Sequence, residues 1–385
     1  MQSALVFHGS ADLYGSDQTT IDMVRGLLTG GWRVTVGLPH EGPLVQVLEL
    51  AGATVHIGGF EPFGRSTLSP LGLLASPYQI VSSTLACWRL VRKLQPDVVH
   101  ANTLIIPAPA LAGRLAGKPV VWHIHEIMTR PKALVWLLTH LVGLLASKVA
   151  CNSEATLDEL ASHNPRLRKI ATVVPNGVTD FPALDPKQVR AQLSIPSDRF
   201  VFLFVGRLNA WKGQEVFVEA AAAIAKRHPQ AYFLAAGDAP DGQPHFRESF
   251  EALIEKHEIG MSFRYLGFHS DTHALYSAAD ASVVPSLLPE PFGLVAAEAM
   301  AASLPVIVAG HGGLKEIVVD GETGMHIEPG NVSSLIAAME TMLVSSDETL
   351  AMGEAGKKRQ VQHFSVGRYQ QSFLEMFQGL ARKAA

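Results

Sequence analysis

The chain has 385 residues, of which 48% are hydrophobic, and its formal net charge is −4. This length predicts two globular domains, each with enough apolar sequence to bury a sheet. The small negative charge gives no support to nucleic-acid binding. Two cysteines, Cys87 and Cys151, provide neither a disulfide framework nor a zinc-binding spacing, so we expect a reduced, cytoplasmic setting.

The N-terminus lacks the basic segment and apolar run of a signal peptide. The longest apolar stretch, residues 133–146, is shorter than the roughly 20 residues that a spanning helix needs, and His140 interrupts it. We interpret it as a buried helix, with contact to a membrane surface as the alternative. Residues 1–180 hold 14 Lys and Arg against 12 Asp and Glu, a net of +2 that would tolerate an anionic membrane or substrate.

Strands and helices alternate in the first 180 residues. The patterns predict strands at residues 2–8, 33–37, 54–57, 97–100, 119–125, 148–151 and 170–174, and helices at 18–28, 43–50, 80–94, 108–115, 133–146 and after Asn152 and Ser153. Ser16 or Asp17 is the expected N-cap of the first helix. Residues 58–79, rich in Gly, Pro and Ser, are expected to form an irregular loop of functional interest. This rhythm predicts a parallel sheet with right-handed crossovers.

A Pro-rich connector of low order, from Thr179 to about Pro196, is the expected domain boundary. The patterns beyond it predict strands at residues 200–205, 232–236, 263–266, 281–284 and 305–309, and helices at 214–227, 246–257, 273–277, 332–344, 349–362 and 367–383, with a further small-residue helix after Phe292. We therefore expect two doubly wound α/β domains facing a cleft. Ligands of such sheets bind beyond the carboxyl ends of the strands.

Arg207 and Lys212 lie in a loop between a predicted strand and a predicted helix. A pyrophosphate group needs cationic partners, and the N-terminus of the following helix would add to them. The alternative is a solvated loop with two ordinary charges. The segment is not a Walker loop, because the Gly-Lys-Ser/Thr arrangement is missing.

Two carboxylates, Glu290 and Glu298, frame the sequence Pro291-Phe292-Gly293-Leu294. Glu290 falls in a loop and Glu298 on the small-residue helix, so both can reach one crevice, and carboxylates suit sugar hydroxyls or a ribose diol. The helix N-terminus can also offer backbone N–H groups to an anion. The alternative is a loop charge and a solvent-facing helical residue.

His123, His125 and Glu126 end a strand of the first half. Positions two apart share a face of a strand, but no third and fourth ligand is evident, so we expect no metal site. A hydrogen bond from His125 to a sugar is the preferred interpretation, with a histidine satisfied by backbone as the alternative. The chain also lacks Asp-x-Asp, so a metal-chelating diphosphate site of that kind is not supported. Gly15 and the pair Gly312-Gly313 mark turns where backbone can approach a phosphate.

At these residues the sequence resembles a retaining GT-B glycosyltransferase of glycosyltransferase family 4, over nearly the whole chain. The matching residues are Gly206-Arg207 with Lys212-Gly213, Glu290-Pro-Phe-Gly-Leu294 with Glu298, Gly312-Gly-Leu-Lys-Glu-Ile317, and Pro175-Asn-Gly-Val178. Leu13-Tyr-Gly-Ser-Asp17 resembles the glycine loop of the family, although one glycine replaces the commoner pair.

The resemblance implies two Rossmann-like domains, an acceptor-binding domain at residues 1–180 and a donor-binding domain at residues 181–366, with residues 367–385 packing back on the first. It implies that Arg207 and Lys212 hold the donor diphosphate, together with Gly206. It implies that Glu290 contacts the donor sugar and Glu298 the ribose, while Phe292, Gly293 and Leu294 present backbone N–H groups.

From the first domain, the resemblance places Gly15 near the diphosphate and His125 at the transferred sugar, with His123 as the competing position. The implied reaction is metal-independent transfer from a nucleoside diphosphate sugar to a saccharide or lipid-linked acceptor, without a cofactor. The implied setting is the cytoplasm, with peripheral membrane contact and cell-surface polysaccharide synthesis. Two alternatives stay open: a nucleotide-sugar 2-epimerase on the same fold, and a non-catalytic sugar-nucleotide-binding protein.

Overall fold

The computed structural model describes residues 1–13, 15–63, 70–182 and 184–384, and for residues 70–77 and 384 it describes the backbone alone. The chain divides into two compact units. The N-terminal unit contains Met1–Gly177 together with Val366–Ala385, and the C-terminal unit contains Val178–Ser365. The sequence analysis places the boundary between the two domains at residue 180, and it places the start of the C-terminal segment that packs back on the first domain at residue 367.

The N-terminal unit has a seven-stranded parallel sheet in the order β3-β2-β1-β4-β5-β6-β7. The strands are β1 (Ser3–His8), β2 (Arg33–Leu38), β3 (Thr54–Ile57), β4 (Val98–Asn102), β5 (Val120–Ile124), β6 (Lys148–Cys151) and β7 (Ala171–Val173). The helices are α1 (Gly15–Thr29), α2 (Pro43–Leu50), α3 (Pro70–Leu94), α4 (Pro107–Leu115), α5 (Lys132–Leu145) and α6 (Glu154–His163).

The C-terminal unit has a six-stranded parallel sheet in the order β10-β9-β8-β11-β12-β13. Its strands are β8 (Phe200–Val205), β9 (Ala231–Ala236), β10 (Phe263–Tyr265), β11 (Ala281–Val284), β12 (Val306–Ala309) and β13 (Gly324–Ile327). Its helices are α7 (Pro186–Gln192), α8 (Gln214–Arg227), α9 (His245–Lys256), α10 (Thr272–Ala278), α11 (Leu294–Ala301), α12 (Leu314–Ile317), α13 (Val332–Val344) and α14 (Ser346–His363). The final helix, α15 (Val366–Ala384), belongs to the N-terminal unit.

Both sheets are buried on both faces, as their nearly continuous apolar strands require. In the N-terminal unit, α1, α2 and α15 cover one face around Val6 and Val36, and α3 to α6 cover the other around Leu5 and Trp122. Helix α15 packs against α1, where the Gln370 side chain donates a hydrogen bond to the backbone oxygen of Asp22 at 3.0 Å. The predicted doubly wound α/β architecture is thereby confirmed.

Four local predictions are wrong. Helix α1 begins at Gly15, so Ser16 and Asp17 lie inside it rather than before it, and the Asp17 carboxylate accepts from His8. Residues 70–79 are helical rather than irregular, because Pro70 suits the first turn of a helix and a run of Leu and Ala continues it. Residues 64–69 of the expected loop lie outside the described residues.

The connector also contains a helix, α7, which Asp185 caps by accepting from the Lys187 N–H at 3.0 Å. The Arg190 side chain anchors it to the sheet, donating to Asp280 at 2.6 Å. Helix α5 is not simply buried, since Trp136 and Leu144 on its outer face are 54% and 71% exposed. Strand β13 and the short helix α12 have no counterpart among the predicted elements.

Candidate functional site

The C-terminal sheet reverses its strand order between β8 and β11. Strands β8, β9 and β10 follow one another to one side of this point, and β11, β12 and β13 follow one another to the other. The crevice beyond such a reversal is where doubly wound sheets bind ligands. Lys212 follows β8 and Glu290 follows β11, so the two residues lie on either side of it.

Lys212 and Glu290 form an ion pair at this reversal. The Lys212 ammonium lies 2.8 Å from Glu290 Oε1, and the two side chains are only 16% and 6% exposed. The Ser286 hydroxyl also donates to the same carboxylate oxygen. The Trp211 ring lies 4.5 Å from the ammonium, and Asn209 accepts from the backbone N–H of Lys212 at 3.1 Å. The structure thus brings together two residues that the sequence separates by 78 positions.

Glycines bring the surrounding loops into close backbone contact. Gly213 has φ of 74°, and a Cβ there would lie 2.0 Å from the backbone oxygen of Pro285. The Gly313 N–H donates to the backbone oxygen of Glu290 at 2.7 Å. A Cβ on Gly312 or Gly313 would meet the backbone of Glu290 or Phe292 at 2.6 Å. The loops after β8, β11 and β12 therefore depend on these glycines to hold Lys212 and Glu290 in place.

Glu298 is half-buried on α11, and the Tyr276 hydroxyl donates to its carboxylate at 2.8 Å. Burial raises the pKa of Glu298, and the hydrogen bond from Tyr276 acts in the opposite direction. The residue is therefore neither solvent-facing nor unpartnered. The sequence pattern placed Glu298 on the helix correctly but carried no signal for Tyr276.

Helix α11 begins at Leu294, directly after Gly293, which has φ of 113°. The first N–H groups of a helix have no partner within it, so Leu294 and its neighbours can serve as donors. The Phe292 side chain is buried against Phe364, with ring centroids 5.8 Å apart, so this residue can offer a ligand only its backbone.

Gly206 and Arg207 follow β8 directly. The Gly206 N–H donates to the backbone oxygen of Ala236 at 3.0 Å, which ties this turn to the end of β9. Arg207 is exposed at the carboxyl edge of the sheet, in the same loop as Lys212. This loop carries both predicted cations.

The N-terminal sheet reverses its order between β1 and β4, and a buried polar network lies there. His8 ends β1 and Asn102 ends β4. The Asn102 amide donates to His8 Nδ1 at 2.7 Å and to the Thr20 hydroxyl at 2.6 Å, and His8 Nε2 contacts Asp17 at 2.6 Å. The sequence analysis did not predict this network. The signal for it in the sequence is that two polar residues, His8 and Asn102, end otherwise apolar strands.

Glu126 is fixed by the neighbouring loop after β4. Its carboxylate accepts from the Thr103 hydroxyl and, at 3.3 Å, from the Leu104 N–H. Thr103 has φ of 141°, a conformation that costs free energy and tends to occur at functional positions. His125, adjacent to Glu126, is partly exposed just beyond β5, and burial lowers its pKa.

His123 lies inside β5 and is 1% exposed, and its ring packs 4.9 Å from that of Phe373 on α15. Neither of its ring nitrogens has a polar partner, and the same is true of His100 on the adjacent strand. Burial lowers the pKa of His123 well below its usual range and that of His100 to about 3. His123 therefore belongs to the core beneath α15.

Gly15 is the first residue of α1, the helix that also carries Asp17 and Thr20. It therefore lies at a helix N-terminus, as expected for a backbone approach to an anion. Across the residues that the structure describes, no group of three or more His, Cys, Asp or Glu is arranged to hold a metal ion. The same residues include no helix long and apolar enough to cross a bilayer.

Comparisons with known proteins agree with this architecture. The model of Glycosyltransferase Family 4 matches residues 14–180, and the model of Glycosyl transferases group 1 matches residues 185–359. The chain belongs to the glycosyltransferases of the GT-B fold that these two models describe. The family resemblance predicted from the sequence is thereby confirmed.

Relatives are similar over most of the chain. Glycogen synthase of Mycobacterium tuberculosis is 32% identical over 290 residues, which cover 70% of this chain and 65% of the synthase. The chain therefore spans slightly less than two thirds of the length of this relative. The D-inositol 3-phosphate glycosyltransferase of Corynebacterium aurimucosum is 27% identical over 375 residues, 90% of this chain and 87% of its own. The crystal structure of Anabaena HepE in complex with UDP has a TM-score of 0.84 and 25% identity, covering 98% of this chain and all of that one.

Proposed function

We propose that this glycosyltransferase moves a sugar, with retention of anomeric configuration, from a nucleoside diphosphate sugar to a hydroxyl of a saccharide or lipid-linked acceptor. The observation that carries the proposal is the Lys212–Glu290 pair at the strand-order reversal between β8 and β11. It combines a cation for a diphosphate with a carboxylate for sugar hydroxyls in one crevice.

The donor class is supported by HepE, whose crystal structures are described as complexes with UDP, with UDP and glucose, and with UDP-glucose. In this chain, Lys212 has three N–H donors, and the bond to Glu290 uses one of them. The others remain for phosphate oxygens, with Arg207 in the same loop. We assign the sugar hydroxyls to Glu290 and the ribose to Glu298, which Tyr276 orients.

The proposed mechanism follows from the positions at which charge develops in the transition state. As the anomeric bond breaks, the sugar gains oxocarbenium character and the diphosphate gains negative charge. Lys212, Arg207 and the N-terminus of α11 stabilise that charge by preorganised electrostatics, without a metal ion or cofactor. The acceptor hydroxyl attacks on the face that the diphosphate leaves, and a departing phosphate oxygen takes its proton.

We assign the acceptor to the N-terminal unit, where Gly15 would contact the diphosphate and His125 the transferred sugar. The fixed Glu126 and the buried His8–Asn102 network support the loops that carry these residues. We further propose that the enzyme works in the cytoplasm as a peripheral protein on the inner face of the membrane, in cell-surface polysaccharide synthesis.

The testing experiment starts with a thermal-shift panel of UDP-, GDP-, ADP- and TDP-sugars, because a ligand that binds the folded state raises the melting temperature. The stabilising donor is then incubated with and without saccharide and lipid-linked acceptors, and the product is examined by NMR. A glycoside of the donor's anomeric configuration supports the proposal, and the opposite configuration contradicts retention. A free epimerised sugar without acceptor would indicate the epimerase, and binding without turnover a non-catalytic protein.

A further inference from the structure

A groove lies between α15 and the outer edge of the N-terminal sheet, with a volume of about 340 Å³. Its floor is formed by β6 and β7, and its wall is formed by residues of α15 that recur at intervals of three and four. Residues at these intervals lie on one stripe of a helix. Strand β7 is the last strand of the sheet, and β5 and β6 separate it from β4. The groove is therefore separate from the strand-order reversal between β1 and β4.

The outer edge of β7 carries backbone groups that have no partner. In its pairing with β6, the Ile170 oxygen accepts at 3.0 Å and the Val174 N–H donates at 2.7 Å. Neighbouring residues of a strand direct their N–H and C=O groups towards opposite edges, so Ala171 and Val173 direct theirs outwards. In the part of the chain that the structure describes, these outward groups make no hydrogen bond. They leave two donors and two acceptors for an added strand.

Gly379 leaves open space above the floor of the groove. A glycine inside a helix costs about 1 kcal/mol relative to alanine. Neither conformation nor packing requires a glycine here, because its φ is not positive and a Cβ would have no neighbouring atom within 4 Å. The surrounding wall and floor are apolar at Val174, Met376 and Leu380. An apolar side chain of an added strand can therefore enter the space that Gly379 leaves.

Two lysines and one acid line the groove. Lys148 is half-buried and Lys383 is exposed, and among the described residues neither has an ion-pair partner. The acid, Glu375, accepts a hydrogen bond from the Gln371 side chain at 2.7 Å. Because complementary charge selects partners, this lining favours a ligand that carries negative charge.

The wider charge around the groove is also positive when the acids of α6 are included. Helix α6 packs beside β6 and β7, and its acids Asp158 and Glu159 are engaged by an arginine and a histidine of the same unit. Residues 148–174 and 366–384 together hold seven Lys and Arg and four Asp and Glu, a net of +3 in a chain whose total is −4. The edge of the sheet thus lies in a locally cationic part of the protein.

We propose that an extended, acidic segment of a partner protein binds this groove by adding an eighth strand to the sheet beside β7. In this mode of recognition, main-chain hydrogen bonds provide affinity, and pockets beside the edge select alternate side chains of the added strand. Ala171 and Val173 supply the main-chain bonds, and the space at Gly379 receives an apolar side chain. Lys148 and Lys383 pair with acidic side chains. The site holds the enzyme to a protein partner and is independent of the proposed sugar transfer.

The test selects peptides from a phage-displayed library of random short sequences on the full chain, after depletion on the Gly379→Leu variant. Enriched peptides should alternate β-branched or aromatic residues with polar ones and should carry Asp or Glu. The affinity of a selected, fluorescently labelled peptide is then measured by fluorescence polarisation, and it should weaken as the salt concentration rises. Hydrogen exchange at residues 170–174 should slow when the peptide binds, because the outward amides become hydrogen-bonded.

Four variants separate the parts of the site. Gly379→Leu should weaken binding more than about tenfold without lowering the melting temperature, because leucine fills the groove and favours helix. Gln378→Leu, at the adjacent residue outside the groove lining, is the matched control and should bind normally. Lys148→Gln with Lys383→Gln should weaken binding about two- to fivefold for each charge. Val173→Pro removes an outward N–H, keeps the pairing with β6, and should weaken binding about tenfold.

The proposal is overturned if no peptide is enriched, if the enriched peptides lack acids, or if Gly379→Leu binds them as the parent does. Binding that Val173→Pro retains, without slower exchange at residues 170–174, would assign the groove to a ligand that adds no strand. Concentration-dependent dimers in analytical ultracentrifugation that Val173→Pro abolishes would assign the edge to a second copy of the chain. Either result contradicts strand addition by a partner protein.

Discussion

Replacing Lys212 with alanine should impair both stability and transfer, for separate reasons. The Glu290 side chain is 6% exposed and would retain the Ser286 hydroxyl as its remaining side-chain partner. Breaking a buried ion pair by removing one partner costs about 3–5 kcal/mol, and we take about 3 because Lys212 itself is partly exposed. For a domain of this size that lowers the melting temperature by about 6–12 °C.

The effect on transfer comes from the leaving group. Without the ammonium, the diphosphate loses a preorganised charge in the transition state, an effect of about 10²–10³ in kcat. Transfer is measured well below the melting temperature of the variant, so that unfolding does not contribute. Lys226→Ala, an exposed lysine on α8 away from the site, is the matched control and should change neither quantity.

The double variant Lys212→Met with Glu290→Gln separates the two effects. It removes both charges and leaves an acceptor for Ser286, so the melting temperature should recover while transfer stays low. Near-normal transfer by Lys212→Ala would refute the leaving-group role. Recovery of transfer in the double variant would mean that Lys212 only stabilises the loop.

Three further predictions concern the remaining polar and backbone features. Tyr276→Phe removes a hydrogen bond that lowers the pKa of Glu298. As the pH falls, the affinity for the nucleoside diphosphate that stabilises the parent, measured by calorimetry, should therefore be lost at a higher pH in the variant. Superimposable pH profiles would contradict the proposed ribose role. Burial lowers the pKa of His100 from 6.5 to about 3. The stability that depends on neutral His100 is therefore fully present above pH 6.5 and is lost as the pH falls towards 3. Over that range the free energy of unfolding should decrease by about 1.4 kcal/mol per pH unit. His100→Leu should flatten this slope in denaturant unfolding at a series of pH values, and an unchanged slope would show that other groups cause it. Gly213→Ala should lower the melting temperature far more than Gly242→Ala, because both have φ of 74° but only the first would place a Cβ against backbone; equal losses would mean that φ alone decides the cost.

The sequence by itself determined the order of most strands and helices, although not α7, α12 or β13, and the loops that carry the candidate site. Buried parallel strands are nearly continuous apolar runs, and the glycines and charges that follow them mark strand ends. Lys212 and Glu290 could therefore be placed in loops at the same edge of a sheet before their contact was known. The motifs around them also identified the family.

Only the tertiary structure decided which groups meet. The His8–Asn102 bond joins residues 94 positions apart, and no local pattern encodes it. The sequence pattern does not distinguish His123 from His125, since both are histidines at the end of one apolar strand. In the structure, α15 buries His123 and leaves His125 partly exposed, because the chain returns to this sheet some 250 residues later. The apolar stretch at residues 133–146 likewise fixes a helix, but whether Trp136 faces the core or the solvent depends on which side of α5 the strands occupy.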